Sequence, residues 1–258
     1  MHLLSLIAAL LLAIYISETV CPPNFKENEY GVCVTQVGRS GTFCEAVEKC
    51  EKYGKSIGSD LFLVGRDSTV IRTLFPGGQS IFWTGVNQLL VRRDTAKDGW
   101  YDTNPETPAY TTEKNFPWCA TQPDGNGPVT VYNRSDDLFY DYALTAKPIN
   151  LDVFCQYTGD PSNTVSAVKF TTNFPVKLVD FIQKNSNFFG CFPGTITEST
   201  PLRCAMSCAS NSACRSVYVN VFDGECVPVM YADSLLPWDI AKSTDGWKRF
   251  AKTEIREP

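Results

Sequence analysis

Three side chains that carry oxygen lie within five positions of one another in the stretch WCATQPDGNGPVTV, residues 118–131. They are Gln122, Asp124 and Asn126, and Pro123 stands between the first two. Calcium prefers carboxylate and amide oxygens, and the same groups hydrogen-bond the hydroxyls of a polar ligand. A cis X-Pro bond would turn the side chains on either side of it toward one point. The same residues are also typical of a surface turn without a ligand, so a ligand site and an ordinary turn both stay open as interpretations.

The composition excludes several kinds of function. Of 258 residues, 43% are apolar and 20% charged, as in an ordinary globular protein. A net charge of −5 without a basic run argues against nucleic acid as a partner. The single histidine is His2, so the rest of the chain has no histidine-based triad or metal site. The nearest paired carboxylates have the pattern of solvated surface charge, and we therefore expect that the protein is not an enzyme.

The N-terminal segment predicts secretion. Residues 3–16, LLSLIAALLLAIYI, are almost purely apolar but too few to span a bilayer comfortably. We interpret residues 1–19 as a signal peptide, although no Lys or Arg precedes the apolar run. No later segment is apolar enough to cross a membrane, so the sequence predicts a soluble, extracellular product without a membrane span.

The cysteines divide the rest of the chain into two parts. In an oxidising compartment, eleven cysteines in one chain indicate a disulfide framework. Zinc bound by Cys204 and Cys208 is the weaker alternative, because no histidine accompanies them. The stretch TGDPSNT, residues 158–164, has the composition of a linker. We therefore predict domains over residues 21–157 and 165–252. The eleven cysteines are Cys21, Cys33, Cys44, Cys50, Cys119, Cys155, Cys191, Cys204, Cys208, Cys214 and Cys226.

Local signals predict two helices and several strands in the first domain. Thr42 and Glu45 form a capping box for a helix that we expect to stop at Gly54. The Asp67 carboxylate is expected to cap a second, short helix. Between residues 87 and 127 no periodicity persists, which indicates either a long functional loop or a mistaken assignment of the elements. Strands are predicted at residues 81–86, 129–133, 138–142 and 151–157.

This order of elements resembles a C-type lectin domain over residues 21–157. The resemblance implies an α+β fold with two helices, antiparallel sheets and a long loop region. It also implies a Cys21–Cys33 bond in an N-terminal hairpin and a Cys50–Cys155 bond from the first helix to the last strand. The residues that carry the resemblance are Cys21-Pro22, Cys33, Cys50, FWTGV at 82–86, Trp100, Trp118, Gln122-Pro123-Asp124 and Cys155.

The sequence departs from the family at one disulfide. The family bridges the two strands that follow the long loop, and the cysteines for that bond are missing here. Cys44 and Cys119 are present instead. We expect a Cys44–Cys119 bond that ties the base of the loop to the first helix, and other partners for these two cysteines stay open.

The resemblance also implies a binding site. Gln122-Pro123-Asp124 matches the tripeptide of galactose-binding members, whose side chains hold one calcium ion and the sugar hydroxyls together. The implied metal ligands, which also contact the sugar, are Gln122, Asp124, Asn126 and Asp141. Tyr140 stands where the family has an asparagine. Galactose-binding members tend to have an aromatic residue after the tripeptide, and Trp118 or Tyr140 is the expected substitute.

The second half predicts a helix and a sheet joined by disulfides. Thr200 can cap a helix with Pro201 at its first position, and Cys204 and Cys208 would lie one turn apart on it. The spacing C-x3-C-x5-C-x11-C after GCF resembles a PAN/apple module, a small disulfide-rich α+β fold. That resemblance implies Cys204–Cys226 and Cys208–Cys214. It leaves Cys191 as a free thiol or as a bridge to another chain in a disulfide-linked dimer.

These observations predict a secreted glycoprotein that binds glycans of the galactose type, with calcium, on cell or microbial surfaces. An immune or developmental role follows by analogy only. The alternative is a calcium-independent protein-binding or structural secretory protein with a degenerate sugar site. The PAN-like module is expected to bind another protein or a glycan, or to drive assembly. Asn133 begins an Asn-Arg-Ser acceptor sequence for N-glycosylation.

Overall fold

A computed structural model describes residues 21–91, 96–104, 116–146, 148–159, 168–197 and 199–253. The predicted signal peptide (1–19) lies outside these ranges, as does most of the predicted linker (158–164). The described chain mixes helices with strands, so the predicted α+β class is confirmed. Among the described residues, no helix has the length and apolar character needed to cross a bilayer. Residues 21–159 are called the first module below, and residues 168–253 the second module.

The first module is built on one sheet with the strand order β1-β2-β7-β4-β5-β6, and β3 also pairs with β7. All four predicted strand segments lie in this sheet, but β4 and β7 run parallel where an antiparallel arrangement was expected. The strands are β1 Lys26–Glu27, β2 Cys33–Ser40, β3 Leu61–Leu63, β4 Ile81–Asn87, β5 Val129–Asn133, β6 Leu138–Tyr142 and β7 Leu151–Tyr157.

Both faces of the central strands of this sheet are buried. In β4, Phe82 and Trp83 point to opposite faces, and each is 0% exposed. Trp83 packs against Phe43 on the face covered by the first helix, and its indole nitrogen donates to the Ser40 carbonyl over 3.0 Å. Phe82 packs against Tyr132 and other aromatic rings on the opposite face. The apolar runs of the central strands follow from burial on two sides.

Helix α1, Phe43–Ile57, begins as predicted and ends later than predicted. The Thr42 side chain accepts a hydrogen bond from the Glu45 N–H, as an N-cap should. The helix continues through Gly54 to Ile57 and is capped by Gly58, which takes the left-handed conformation with φ 70°. Gly54 serves close packing instead, because a Cβ there would lie 2.5 Å from the Ser59 carbonyl oxygen.

The second helical segment does not have the predicted cap. A 3-10 turn over Arg66–Thr69 leads into the short helix α2, Val70–Leu74, and neither has a side-chain N-cap. Asp67 lies inside the turn, and its carboxylate accepts a hydrogen bond from the Gln156 side chain over 2.8 Å. The cap prediction was wrong because this carboxylate binds strand β7 instead of its own helix.

The described parts of the long region between β4 and β5 form isolated bridges instead of strands. Asn87 pairs with Tyr101, and Trp118 pairs with Phe139 of β6. Asp102 is 8% exposed, and its carboxylate accepts N–H groups of Arg66 and Asn104, each over 3.0 Å. This contact ties the long loop to the turn before α2. Residues 92–95 and 105–115 of the predicted loop lie outside the described residues.

The second module has a sheet with the strand order β11-β10-β13-β8 and a separate β9–β12 pair. The Thr200 hydroxyl caps helix α3, Pro201–Ala209, and Pro201 stands in its first turn, as predicted. The assignment of this module to the PAN/apple family stays a prediction. The remaining elements are β8 Lys169–Thr171, β9 Ile182–Gln183, β10 Cys214–Asn220, β11 Cys226–Met230, β12 Leu236–Pro237, α4 Trp238–Ala241 and β13 Trp247–Thr253.

Four disulfides join the pairs that the resemblances imply: Cys21–Cys33, Cys50–Cys155, Cys204–Cys226 and Cys208–Cys214. The expected Cys44–Cys119 bond is wrong. Cys44, in the first turn of α1, bonds to Cys191 of the second module, with Cα atoms 5.5 Å apart. Cys119 is the free cysteine, because it lies beside the edge strand β6, where its N–H donates to the Phe139 carbonyl. Cys191 is therefore not available for the disulfide-linked dimer that was expected.

Burial raises the pKa of the Asp102 carboxyl from 3.8 to about 6, and this predicts a pH dependence of stability. Between these values the folded protein keeps a proton that the unfolded chain has released. The free energy of unfolding should therefore fall by roughly 2 kcal/mol as the pH rises from about 4 to about 6. Urea unfolding of the intact protein and of Asp102→Asn over this range measures the effect. Equal slopes for the two proteins would contradict it.

Candidate functional site

The Gln122–Asn126 loop follows a segment that pairs with β6. After the bridge at Trp118, the Gln122 N–H donates to the Cys119 carbonyl over 2.8 Å and closes a turn. The Gln122–Pro123 peptide bond is cis, as expected if the neighbouring side chains are to face one point. The loop then returns to the sheet at the start of β5.

The Asp124 carboxylate is the point on which the loop side chains converge. It accepts hydrogen bonds from the Gln122 amide nitrogen over 3.1 Å and from the Asn126 amide nitrogen over 2.7 Å. The Asn126 backbone N–H donates to the same carboxylate over 3.0 Å. Gln122, Asp124 and Asn126 therefore form one polar cluster, called the loop cluster below. Because Asp124 is exposed, the cluster is open to solvent.

Asp141 supports the loop from behind. It lies in β6 and is 4% exposed. Its carboxylate accepts the backbone N–H of Asp124 over 3.0 Å, that of Gly125 over 2.8 Å and that of Gly127 over 3.4 Å. The Asp141 N–H in turn donates to the Gln122 amide oxygen over 3.2 Å. The predicted convergence is thus partial, since the Asp141 carboxylate faces the backbone of the loop instead of the loop cluster.

Two glycines allow this close approach. Gly125 has φ 104°, a conformation that residues with a Cβ rarely adopt. A Cβ on Gly127 would lie 1.6 Å from the Tyr142 carbonyl oxygen. The sequence analysis missed the supporting role of Asp141, and the glycines after Asp124 are the signal that could have indicated it.

The predicted ligand set fits calcium only in part. Asp124 offers carboxylate oxygens, and the Asn126 amide can present its oxygen after half a turn of the side chain, because the two ends of an amide are similar in shape. The Gln122 oxygen is held by the Asp141 N–H, and the Asp141 oxygens by three N–H groups. Among the residues that the structure describes, no three His, Cys, Asp or Glu side chains are grouped to hold a metal.

The two aromatic candidates lie away from the loop cluster. Trp118 packs against Trp100 and Phe116, with ring centroids 5.0 and 4.7 Å apart, and belongs to an aromatic core. Tyr140 alternates with Asp141 in β6 and therefore points to the opposite face of the strand. Its hydroxyl donates to the Asp136 carboxylate, and this bond raises the pKa of Tyr140.

Comparison with known proteins finds likeness of structure alone. No family model matches the sequence, and no curated protein matches it. A similar structure is the C-type lectin CEL-I of Cucumaria echinata, which is 14% identical in sequence. The match covers 55% of this chain and 99% of that chain, with a TM-score of 0.40. Herring type II antifreeze protein has 19% identity, 53% and 97% coverage and a TM-score of 0.39. The mouse scavenger receptor C-type lectin carbohydrate-recognition domain is 18% identical, with 53% of this chain and 94% of that chain covered and a TM-score of 0.37.

Removal of the Asp141 carboxylate should loosen the loop. Asp141→Ala deletes three charge-assisted hydrogen bonds to backbone N–H groups, and we expect the free energy of unfolding to fall by roughly 2–4 kcal/mol. Asp124→Ala, whose side chain is exposed, is the matched control and should cost well under half as much. Urea unfolding gives both values, and amide exchange at Gly125 and Gly127 should accelerate in Asp141→Ala only. Equal costs for the two variants would contradict the supporting role.

Proposed function

We propose that the protein binds carbohydrate through the loop cluster of Gln122, Asp124 and Asn126. The observation that carries this proposal is the convergence of two amides on one exposed carboxylate, held in place by Asp141. Such a cluster offers both donors and acceptors, which neighbouring sugar hydroxyls require. The match of Gln122-Pro123-Asp124 to the tripeptide of galactose-binding C-type lectins supports a galactose-type glycan as the ligand.

We further propose that one weakly bound calcium ion completes this site. Asp124 and Asn126 would hold the ion, and when bound it would supply positive charge for sugar hydroxyl oxygens. Asp141 would act mainly by fixing the loop backbone. One exposed carboxylate with amide oxygens is a ligand set of low charge, and low charge gives low affinity.

A second candidate function is calcium-independent binding of a protein or glycan. The observation that favours it is the use of the Asp141 oxygens and the Gln122 oxygen within the protein itself. In that case the loop cluster would act as a surface of hydrogen-bonding groups without an ion.

Calorimetric titration with a galactose-terminated oligosaccharide tests the two candidates. We expect binding in millimolar calcium that is lost with chelator, and a melting temperature that rises with calcium, because an ion that binds only the folded state stabilises it. Asp124→Asn should abolish the calcium-dependent rise, and Asn126→Ala should only weaken it, because an amide contributes no charge. Asp136→Asn, which removes a carboxylate in the β5–β6 turn, is the matched control and should behave as the unaltered protein.

The outcomes separate the candidates. Sugar binding that survives chelator favours the calcium-independent function. If calcium leaves the melting temperature unchanged and a glycan array gives no signal under either condition, carbohydrate binding is wrong.

We also propose that the chain is secreted and glycosylated at Asn133. Five disulfides accord with an oxidising compartment. Asn133 lies at the end of β5 in a turn, and its amide nitrogen donates to the exposed Asp136 over 3.2 Å. Strand β5 places this turn at the end of the hairpin away from the loop cluster, so an attached glycan would leave the loop cluster accessible.

Expression in a eukaryotic secretory host tests the glycosylation. The chain from the culture medium should lose the mass of one N-glycan on treatment with an N-glycosidase. Asn133→Gln and Ser135→Ala should each abolish this change, because both residues belong to the single acceptor sequence of the chain. Asn126→Gln, outside an acceptor sequence, should keep it. A secreted chain of unmodified mass would refute the assignment.

A further inference from the structure

One disulfide crosses from the first module to the second. Cys44, in the first turn of α1, bonds to Cys191 of the second module, 147 positions later in the sequence. The other four disulfides of the described residues each join two cysteines of the same module. Reduction of Cys44–Cys191 would therefore leave the modules held together by the main chain and by non-covalent contacts.

Hydrogen bonds cross the same interface. The Leu235 N–H of the second module donates to the Leu89 carbonyl of the first over 2.9 Å. The Ser212 hydroxyl donates to the Glu51 carboxylate over 2.7 Å. Ser212 is exposed, so water competes for this second bond and its net contribution to docking is small.

Packing between the modules is incomplete. A cavity of about 80 Å³ lies between them, several times the roughly 10–15 Å³ that a single water needs. Leu90 and Tyr101 line it from the first module, and Tyr231 and Ala232 line it from the second. Atoms that face a cavity lose the dispersion contacts that a filled interface would give them. The docking of the modules therefore depends more strongly on the disulfide than it would across a filled interface.

The position of Cys44 favours the reduced form of this bond. Cys44 is half-buried, whereas Cys191 is 5% exposed, so a reagent from solvent meets the Cys44 side first. The first turn of a 15-residue helix stabilises a thiolate through its N–H groups and its dipole. The neighbouring Glu45 carboxylate opposes this effect, but Lys49 lies 3.2 Å from it and offsets its charge. A stabilised thiolate makes a disulfide easier to reduce.

The other disulfides lack this combination. Cys21–Cys33 is similar in exposure, because Cys21 is half-buried and Cys33 is 2% exposed, but it joins the ends of a β-hairpin segment and has no helix terminus beside it. It is therefore the matched comparison. In the remaining three bonds both cysteines are at most 2% exposed; these are Cys50–Cys155, Cys204–Cys226 and Cys208–Cys214.

We propose that Cys44–Cys191 is a redox-sensitive link, which an extracellular protein dithiol opens to release the second module from the first. A thiolate of the dithiol bonds to the Cys44 sulfur, the bond to Cys191 breaks, and Cys191 takes up a proton. The second thiol of the dithiol then loses its proton to solvent, bonds to the first sulfur and releases Cys44 as a thiolate. The dithiol is oxidised to a disulfide, and two electrons pass to the protein.

Release would change the surface of the protein. Leu90 and Ala232, which are 4% and 2% exposed in the docked form, lie on opposite sides of the interface and would both meet solvent. The oxidised protein keeps this apolar surface covered. The proposal does not depend on carbohydrate binding, because it uses no residue of the loop cluster.

Graded reduction of the folded, full-length protein with dithiothreitol at pH 7.5, followed by alkylation and peptide mapping, tests the chemistry. Cys119 should be labelled without reductant, because it is the free cysteine. Cys44 and Cys191 should be labelled at a dithiol concentration at least about tenfold below that needed for Cys21 and Cys33. If Cys21–Cys33 or a buried disulfide opens first or at the same concentration, the proposal is wrong.

Amide exchange tests the release itself. The Leu235 N–H bonds across the interface, whereas the adjacent Leu236 N–H bonds to the Phe181 carbonyl within the second module over 2.7 Å. After selective reduction and alkylation, exchange at Leu235 should accelerate at least about tenfold while exchange at Leu236 stays unchanged. Unchanged exchange at both amides would show that the modules stay docked. Accelerated exchange at both would show unfolding of the module instead of release, and either result would overturn the proposal.

Paired variants repeat this test without a reductant. Cys44→Ser combined with Cys191→Ser should accelerate exchange at Leu235 alone, as selective reduction does. Cys21→Ser combined with Cys33→Ser is the matched control, because it also removes one partly accessible disulfide, and it should leave Leu235 unchanged. Equal acceleration at Leu235 in the two double variants would contradict the assignment of the link to Cys44–Cys191.

Discussion

A sheet buried on both faces leaves polar chemistry only at its ends and edges, and this constraint governs the first module. Helix α1 covers one face through Phe43 and Trp83, and aromatic rings around Phe82 cover the other. The central strands can therefore carry no ligand site on either face. In the described part of the chain between β4 and β5, Trp100, Phe116 and Trp118 pack on the Phe82 face, and the loop cluster lies where the chain meets the edge strand β6.

The loop cluster depends on one buried carboxylate for its shape. A loop outside the sheet needs other acceptors for its N–H groups, because backbone donors left without partners are costly. Asp141 serves as that acceptor because β6 is an edge strand and its side chain reaches the loop directly. The same geometry explains why this residue and Asp124 play different parts although both are aspartates. One faces the protein and the other faces solvent.

Much of the fold could be predicted from local signals, and the errors have a common cause. The caps at Thr42 and Thr200, the strand segments and four disulfides depend on residues close in sequence or on a familiar order. The predictions of the Asp67 cap and the Cys44–Cys119 bond were wrong because each side chain binds an element far away in the sequence. Asp67 binds strand β7, and Cys44 bonds to the second module. In the site, the tripeptide indicated the loop cluster, but no periodicity reveals which way the Asp141 carboxylate points. The role of Asp102 was missed because its carboxylate accepts the N–H of Arg66, 36 residues earlier in the chain.

The Cys44–Cys191 bond has a consequence for how the chain matures. Its two cysteines are separated by 147 residues. Because a ribosome adds about 5–20 residues per second, Cys191 is synthesised roughly 7–30 s after Cys44. Cys119 emerges during that interval and presents a competing thiol. Oxidation in the order of synthesis would favour the shorter, incorrect crosslink. Correct pairing therefore requires that Cys44 is oxidised late, or that an early bond to a wrong partner such as Cys119 is exchanged for the bond to Cys191. The yield of native protein would then depend on the disulfide isomerase capacity of the cell that makes it.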